Sequence, residues 1–385
     1  MKAALPKTSR PKGLARKDRF VIIMAGGKGE RFWPVSREKT PKQLITLLGN
    51  QSFLQQAVGR VSPIVPSDNI FIVTNQVQAA EVRRQLPQIP RFNVVAEPCG
   101  RDTCAAVALG AALVGARSSR GVMAVLPSDH VIPDERTFQG VLLDSLNLAA
   151  LEEVIVTIGI NPTEPATGYG YIKCGGLLRQ ISGVKPAKTI FYKGEKFVEK
   201  PPIEKAVEYL ASGHYRWNAG MFIWSHATLT EGLRQHRPEM HAASLRWMAV
   251  AKSPAKLARI LRAEYPGVAK LSIDYALLEH AKNVVVADGA FAWDDLGAWN
   301  ALARHLPPDA QGNCVAGDFI HIDAARNIIF DARTRNRTPI TVVGLSDIIF
   351  VHTDDAILLA HKAESHKIKD LVKALAADAR FKGLV

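Results

Sequence analysis

The sequence holds only four cysteines in 385 residues, and no two of them form a CxxC pair. Cys99, Cys104, Cys174 and Cys314 therefore argue against a disulfide framework and a thiolate zinc site, and fit reduced, structural thiols. No hydrophobic run reaches membrane length. The longest uncharged apolar stretch, 103–116, stops at Arg117. The N-terminus lacks the apolar segment of a secretory signal. A Walker A loop, GxxxxGK(S/T), does not occur, and eleven histidines include no HExxH. These absences point to a soluble, cytoplasmic protein without a membrane partner.

What is present is the balance of a globular chain, with 47% hydrophobic and 22% charged residues. The length suggests two domains. The net charge of +13 is unevenly spread. Residues 1–19 carry seven Lys/Arg and a single acid, Asp18, so roughly half of the excess sits in a segment expected to be a disordered tail. The body is moderately basic, which suits an anionic small substrate. No recognised nucleic-acid motif accompanies the charge, so no nucleic-acid partner is expected.

From residue 20 short apolar runs alternate with helical patterns. Strands are expected over 20–25, 70–74, 92–96, 122–126 and 154–160, and helices over 52–61, 77–86, 103–117 and 138–151. This alternation predicts an α/β class fold with a Rossmann-like, doubly wound parallel sheet covered on both faces. Ligands of such sheets bind outside the carboxyl ends of the strands. Further strands are expected over 169–174, 196–198 and 221–224. After Leu306-Pro307-Pro308 the texture changes to short β-rich runs separated by turn residues at roughly ten-residue spacing. The expected organisation is a tail over 1–19, a catalytic domain over 20–308, and a small β-rich domain with a terminal helix over 309–385. The β-rich unit also offers a surface for a homodimer.

The strongest local signal is Ala25-Gly26-Gly27-Lys28-Gly29-Glu30-Arg31-Phe32, directly after the first strand. Gly26, Gly27 and Gly29 let the backbone approach a ligand closely, and their N–H groups can cradle phosphate oxygens. The pattern is not GxGxxG, because Phe32 stands where the last glycine belongs. Taken alone, the loop reads equally well as a tight strand-to-helix connection.

The stretch GGKGERFWPVSREKTPKQL resembles the nucleotidyltransferase loop of sugar-nucleotide pyrophosphorylases. Its Trp33-Pro34-x-Ser36-Arg37 and Pro41-Lys42-Gln43 elements resemble the mannose-1-phosphate guanylyltransferase branch. Further segments follow in the same order: Glu97-Pro98-x-x-Arg101-Asp102-Thr103, Pro127-Ser128-Asp129-His130, and Pro162-Thr163-x-Pro165-x-Thr167-Gly168-Tyr169-Gly170-Tyr171-Ile172. Phe197-Val198-Glu199-Lys200-Pro201, Trp217-Asn218-Ala219-Gly220-Met221-Phe222, Ser272-Ile273-Asp274-Tyr275 and Trp293-Asp294-Asp295-Leu296-Gly297-Ala298-Trp299 complete the set. Together they cover roughly residues 20–375. The family often has Arg-Asn-Thr-Ala-Pro-Ala where this chain has Arg101-Asp102-Thr103-Cys104-Ala105-Ala106.

The resemblance implies transfer of a guanylyl group from GTP to mannose 1-phosphate with Mg²⁺, by in-line attack of the sugar phosphate on the α-phosphorus. Two anions must meet, so the site must neutralise charge. Arg31 offers a bidentate fork for the triphosphate, Lys42 a point charge for the α-phosphate, and Lys200 a holder for the sugar phosphate. Asp129 and Asp295 are the expected ligands of the metal, which prefers oxygen donors. One of Asp294 and Asp295 reads as structural, and the family pattern puts the ligand at Asp295. Glu97 or nearby backbone, with Arg101, is expected at the nucleotide base. Glu199 and Asn218 suit sugar hydroxyls, with Gly168 and Gly220 letting the backbone join in. Another sugar-1-phosphate nucleotidyltransferase, or a non-catalytic paralogue that binds sugar nucleotide, remains open on these residues. The missing length for a further cupin domain implies the guanylyltransferase activity without phosphomannose isomerase activity.

Overall fold

A nine-stranded sheet forms the body of the computed structural model, which describes residues 13–178, 188–335 and 338–385. Its strands are β1 (Arg19–Ala25), β2 (Ile70–Asn75), β3 (Val94–Glu97), β4 (Val122–Pro127), β5 (Ile155–Ile160), β6 (Tyr171–Leu177), β7 (Phe191–Val198), β8 (Tyr215–Ser225) and β9 (Val284–Asp288). Their order is β3-β2-β1-β4-β8-β5-β9-β7-β6, with β8 also pairing β6. Strands β1 to β4 are mutually parallel, and β5 is parallel to β9. The expected doubly wound parallel sheet is found, with antiparallel strands added to it: β8 enters antiparallel between β4 and β5, and β6 and β7 are antiparallel to their neighbours.

Alternation along β1 divides the core. Val21, Ile23 and Ala25 pack on one face against the helices Phe53–Val61 and Glu135–Leu151. Phe20 and Ile22 pack on the other against the helix Asp102–Gly115. That helix is apolar on all sides because three further helices (His226–His236, Pro238–Val250 and Pro254–Glu264) cover it from outside. Ser52 and Gln55 close a capping box at the start of Phe53–Val61.

The chain reverses its winding around β1, with β2 on one side and β4 on the other. The crevice beyond the carboxyl ends of β1 and β4 is therefore the topological switch point, where α/β sheets hold ligands. It receives the glycine-rich loop from β1 and Ser128-Asp129 from β4.

The C-terminal unit has six strands: β10 (Cys314–Ala316), β11 (Phe319–Ile322), β12 (Ile328–Asp331), β13 (Ile340–Val343), β14 (Ile348–His352) and β15 (Ile357–His361). Strands β10, β12 and β14 stack in parallel, β15 closes that sheet antiparallel, and β11 pairs β13 in parallel. This is the winding of a short β-helix. Buried Asn313 and Asn327 stack through successive coils: Asn327 N–H donates to Asn313 Oδ1 at 2.9 Å, and Ile348 N–H to Asn327 Oδ1 at 3.0 Å. A final helix, Ile368–Ala377, follows.

This unit packs onto the glycine-rich loop. Phe32, Trp33 and Phe53 share one core cluster with Trp299, Ile328, Phe330 and Ile349. Trp33 Nε1 donates to the carbonyl of Leu384 at 2.8 Å, and Trp299 Nε1 to that of Trp33 at 3.1 Å.

The expected tail over 1–19 is shortened at its inner end. Residues 1–12 lie outside the described residues. From residue 13 the chain is tied down: Leu14 N–H donates to Asn147 Oδ1 at 3.0 Å, and Arg19 donates twice to the Leu14 carbonyl. All four cysteines are free thiols, Cys104 and Cys314 buried. No helix among the described residues is long and apolar enough to cross a membrane.

Candidate active site

The switch point holds a buried lysine between two acidic segments. Lys42 is 5% exposed. It follows Pro41 in a short 3-10 turn that folds back over the glycine-rich loop. Its Nζ donates to Asp129 Oδ2 at 2.9 Å and to the backbone carbonyl of Asp295. The rings of Phe32 and Phe53 flank the ammonium at 5.8 and 5.7 Å.

The glycine-rich loop is moulded around this lysine. Gly29 has φ +63°, and a Cβ there would stand 2.5 Å from the Lys42 backbone nitrogen. Only glycine meets both demands. Gln43 staples the same loop, donating through Nε2 to the carbonyls of Ala25 and Gly27 at 3.0 Å each. Gln43 belongs to the Pro41-Lys42-Gln43 element, but nothing in its type betrays this role.

The two acidic segments are pinned together by an antiparallel bridge. Val131 N–H donates to the Asp294 carbonyl at 2.9 Å, and Asp294 N–H returns to Val131 at 3.1 Å. The neighbouring aspartates divide their labour. Asp294 is buried and saturated, accepting from Leu296 N–H, from Arg304 at 2.7 and 2.9 Å, and from His305 at 2.8 Å. Burial opposes its ionisation, but those hydrogen bonds hold its carboxyl far below the usual range. The Asp295 carboxylate accepts only from the Tyr169 hydroxyl, at 3.0 Å, among the described residues. Burial raises its pKa, with Lys42 and Tyr169 opposing and Asp129 adding to the rise. Asp129 is also penalised by burial, yet the charge of Lys42 keeps it below its ordinary value.

Asp129 and Asp295 are therefore two oxygen donors, from opposite walls, close enough for their charges to interact. This donor set fits a hard divalent cation that keeps further positions for phosphate and water. Next to Asp129, burial drives the His130 imidazole down to about 4, with the Asp129 charge opposing. The ring is thus neutral and accepts from Trp293 Nε1 at 3.1 Å.

Beside this centre lies a cavity of about 430 Å³, within the range of small-molecule sites. Gly26, Gly27, Glu97, Arg101 and Gly220 line it, together with Asp274. Glu97 is buried, hydrogen-bonded by the Tyr265 hydroxyl, and pushed up to about 7 by burial despite that bond. Tyr265 belongs to none of the sequence motifs, and only the packing of a distant turn brings it here. Arg101 donates to the Pro266 carbonyl, and its Nε is buried without a partner among the described residues.

A third cluster adjoins the cavity at β8. Asn218 Nδ2 donates to Asp274 Oδ1 at 3.0 Å, and Asn218 Oδ1 accepts from Gly220 N–H at 3.1 Å. Burial and the charge of Glu199 push Asp274 up to about 6, with Asn218 opposing. Gly170 faces Glu199 so closely that a Cβ would stand 2.6 Å from its Oε2. Lys200 pairs with Glu199 and lies within electrostatic reach of Asp274, and its pKa is raised first by that Glu199 hydrogen bond. Asp274 sits in a quoted motif, although no role attached to it there.

The structure thus brings the expected residues into three adjoining groups: Lys42 with Asp129 and Asp295; Gly26, Gly27, Glu97, Arg101 and Gly220; Glu199, Lys200 and Asn218. Arg31 and Gly168 stand exposed outside them. Arg31 makes no ion pair among the described residues.

Known proteins resemble this chain over most of its length. Residues 20–311 match the nucleotidyl transferase family model, and residues 317–375 match a mannose-phosphate isomerase/GMP-like β-helix domain. The xanthan biosynthesis protein XanB of Xanthomonas campestris is 36% identical over 366 residues, covering 94% of this chain and 74% of that one. The mannose-1-phosphate guanylyltransferase of Escherichia coli K12 is 33% identical over 371 residues, covering 95% and 75%. A solved structure from Thermus thermophilus, described as mannose-1-phosphate geranyltransferase, superposes with a TM-score of 0.80 at 33% identity, covering 93% of this chain and 99% of that one. The chain belongs to the nucleotidyl transferase family, in the group that includes the mannose-1-phosphate guanylyltransferases.

Proposed function

We propose that this protein is a mannose-1-phosphate guanylyltransferase: α-D-mannose 1-phosphate + GTP → GDP-mannose + diphosphate. The observation that carries the reading is the convergence of Lys42, Asp129 and Asp295 at the switch point, beside a cavity floored by Glu97. The named activity of the relatives supports the substrate pair.

Each group has a task. Lys42 sits where an anionic α-phosphate would meet it, and exchanging Asp129 for phosphate would free that carboxylate. The backbone N–H groups of Gly26, Gly27 and Gly29 receive the triphosphate, and Arg31 stands free to swing onto its outer phosphates. Glu97, when ionised, accepts from guanine N1–H and N2–H, while Arg101 closes the base cavity. Glu199, Asn218 and the backbone at Gly168 and Gly220 take the hexose hydroxyls, and Lys200 takes the sugar phosphate. Asp129 and Asp295 would hold Mg²⁺, which supplies charge stabilisation at the phosphates when bound. The attacking phosphate is already an anion near neutral pH, so no protein nucleophile is required. The chain's own contribution is alignment and neutralisation of charge. The reading places the enzyme in the cytoplasm, acting on soluble substrates.

The test is diphosphate release by purified protein with Mg²⁺, over four nucleoside triphosphates against mannose, glucose and N-acetylglucosamine 1-phosphates. Turnover concentrated on GTP with mannose 1-phosphate is expected. Preference for another pair would overturn the substrate assignment, and a folded but inert protein would overturn the enzymatic one.

A further inference from the structure

A second cavity, of about 660 Å³, lies along the β2–β3 edge of the sheet. Its charge is of one sign. Arg83, Arg91, Arg117, Lys252 and Arg262 line it, and no Asp or Glu does so among the described residues. None of these five cations forms an ion pair among the described residues. Arg91 and Lys252 make no side-chain hydrogen bond there either. Arg83 spends one donor on the Val94 carbonyl, and Arg262 spends one on that of Ala258. Arg117 is the exception: it donates to the Asp68 carbonyl and to Asn93 Oδ1, the latter at 2.7 Å, and the Asp68 charge acts on it from outside the cavity. Gathering unpaired like charges is unfavourable unless an anion joins them.

The rest of the lining is apolar and aromatic. The Arg117 guanidinium lies 4.3 Å from the Phe71 ring centroid and 5.5 Å from that of Phe92. Phe92 is 55% exposed and leaves a ring face open at the cavity. The helix Pro254–Glu264 lays one flank along the cavity, through Pro254, Leu257, Ala258, Leu261 and Arg262.

We propose that this cavity is a binding site for a nucleotide: phosphates on Arg83, Arg91, Lys252 and Arg262, base against Phe92 and the apolar wall. The volume is that of a small-molecule site. The site shares its walls with the catalytic one. Strand β3 gives Val94, Val95 and Ala96 to this cavity and Glu97 to the other. Strand β2 gives Phe71 to one and Val73 to the other. The helix Pro254–Glu264 runs directly into Tyr265, whose hydroxyl bonds Glu97. Occupancy of the distal cavity is therefore placed to bias the nucleotide end of the active site.

The test is equilibrium dialysis of labelled GDP against the full chain and the Arg91→Glu/Lys252→Glu double variant. Both altered side chains are exposed, so the fold should persist, checked by an unchanged melting temperature. The unaltered protein should bind one GDP more per chain than the double variant at saturation, or the distal affinity should fall by about tenfold or more on charge reversal. Equal binding curves for the two proteins would overturn the proposal. Inorganic phosphate should displace the distal GDP only in large excess. Displacement at equal concentration would reduce the site to an anion sink and overturn the nucleotide assignment. Diphosphate release measured on the same samples separates the two readings. Turnover without the extra GDP removes the distal site alone, and the extra GDP without turnover removes the catalytic assignment alone.

Discussion

Lys42 and Asp129 meet at 2.9 Å, across 87 residues of sequence, with the lysine buried and the aspartate at the end of β4. The pair joins the loop that follows the first strand to the strand end beside it. Lys42→Met should cut turnover by about 100-fold or more, the scale seen when one preorganised donor to a developing charge is removed. Asp129 keeps solvent contact, so the melting temperature should move little. A diphosphate-release assay beside a thermal melt checks both, and a collapsed fold would refute the separation.

Asp294 and Asp295 are adjacent in sequence and opposite in consequence. Asp294→Asn weakens hydrogen bonds from Arg304, His305 and Leu296 and should cost roughly 2 kcal/mol of stability. Asp295→Asn weakens one hydrogen bond, from Tyr169, and removes a charge that also faces like-charged Asp129 and Asp294, so it should leave stability near its original value while turnover falls. Chemical denaturation of the two variants, with activity measured at permissive temperature, tests the contrast.

Glu97 should impose a pH dependence on nucleotide recognition. Its carboxyl is raised to about 7 by burial, so it is ionised above that pH and protonated below. A base that needs the carboxylate as acceptor should bind more weakly as pH falls through 7. KM for GTP should therefore rise on the acid side, and Glu97→Gln should flatten the profile. A profile unchanged in the variant would place the titration elsewhere.

Gly29→Ala combines a left-handed backbone with a contact of 2.5 Å to the Lys42 nitrogen. The strain, about 1–3 kcal/mol, must be relieved by moving the loop or the lysine. Turnover should drop with it, whereas Gly49→Ala should cost stability and leave turnover alone. Gly49 has φ +75° but nothing within 4 Å of its Cβ position.

Much of the fold was legible beforehand because its signals are local. The apolar runs of β1, β2 and β4 are buried apart from Met24, and a buried parallel strand advertises itself as an unbroken hydrophobic stretch. The alanine-rich segment at Asp102–Gly115 reads as a core helix for the same reason. The antiparallel entry of β8 was not legible, since strand direction depends on partners far along the chain. Nor was the β-helix winding: short strands with turn residues between them look alike whether they pair as a meander or stack in parallel.

The sequence by itself determined which chemistry is available. Three glycines after a strand, a lysine in Pro41-Lys42-Gln43 and paired aspartates in a Trp-Asp-Asp-Leu-Gly turn supply backbone donors, cations and oxygen ligands whatever the arrangement. Tertiary structure decided which of these groups is free to act. It saturated Asp294 and left the Asp295 carboxylate a single partner among the described residues, brought Tyr265 onto Glu97 across 168 residues, and set five cations with no ion pair among the described residues around one distal cavity. Residue type carries charge and hydrogen-bonding capacity. Burial and partners, which exist only once the chain is folded, decide how that capacity is spent.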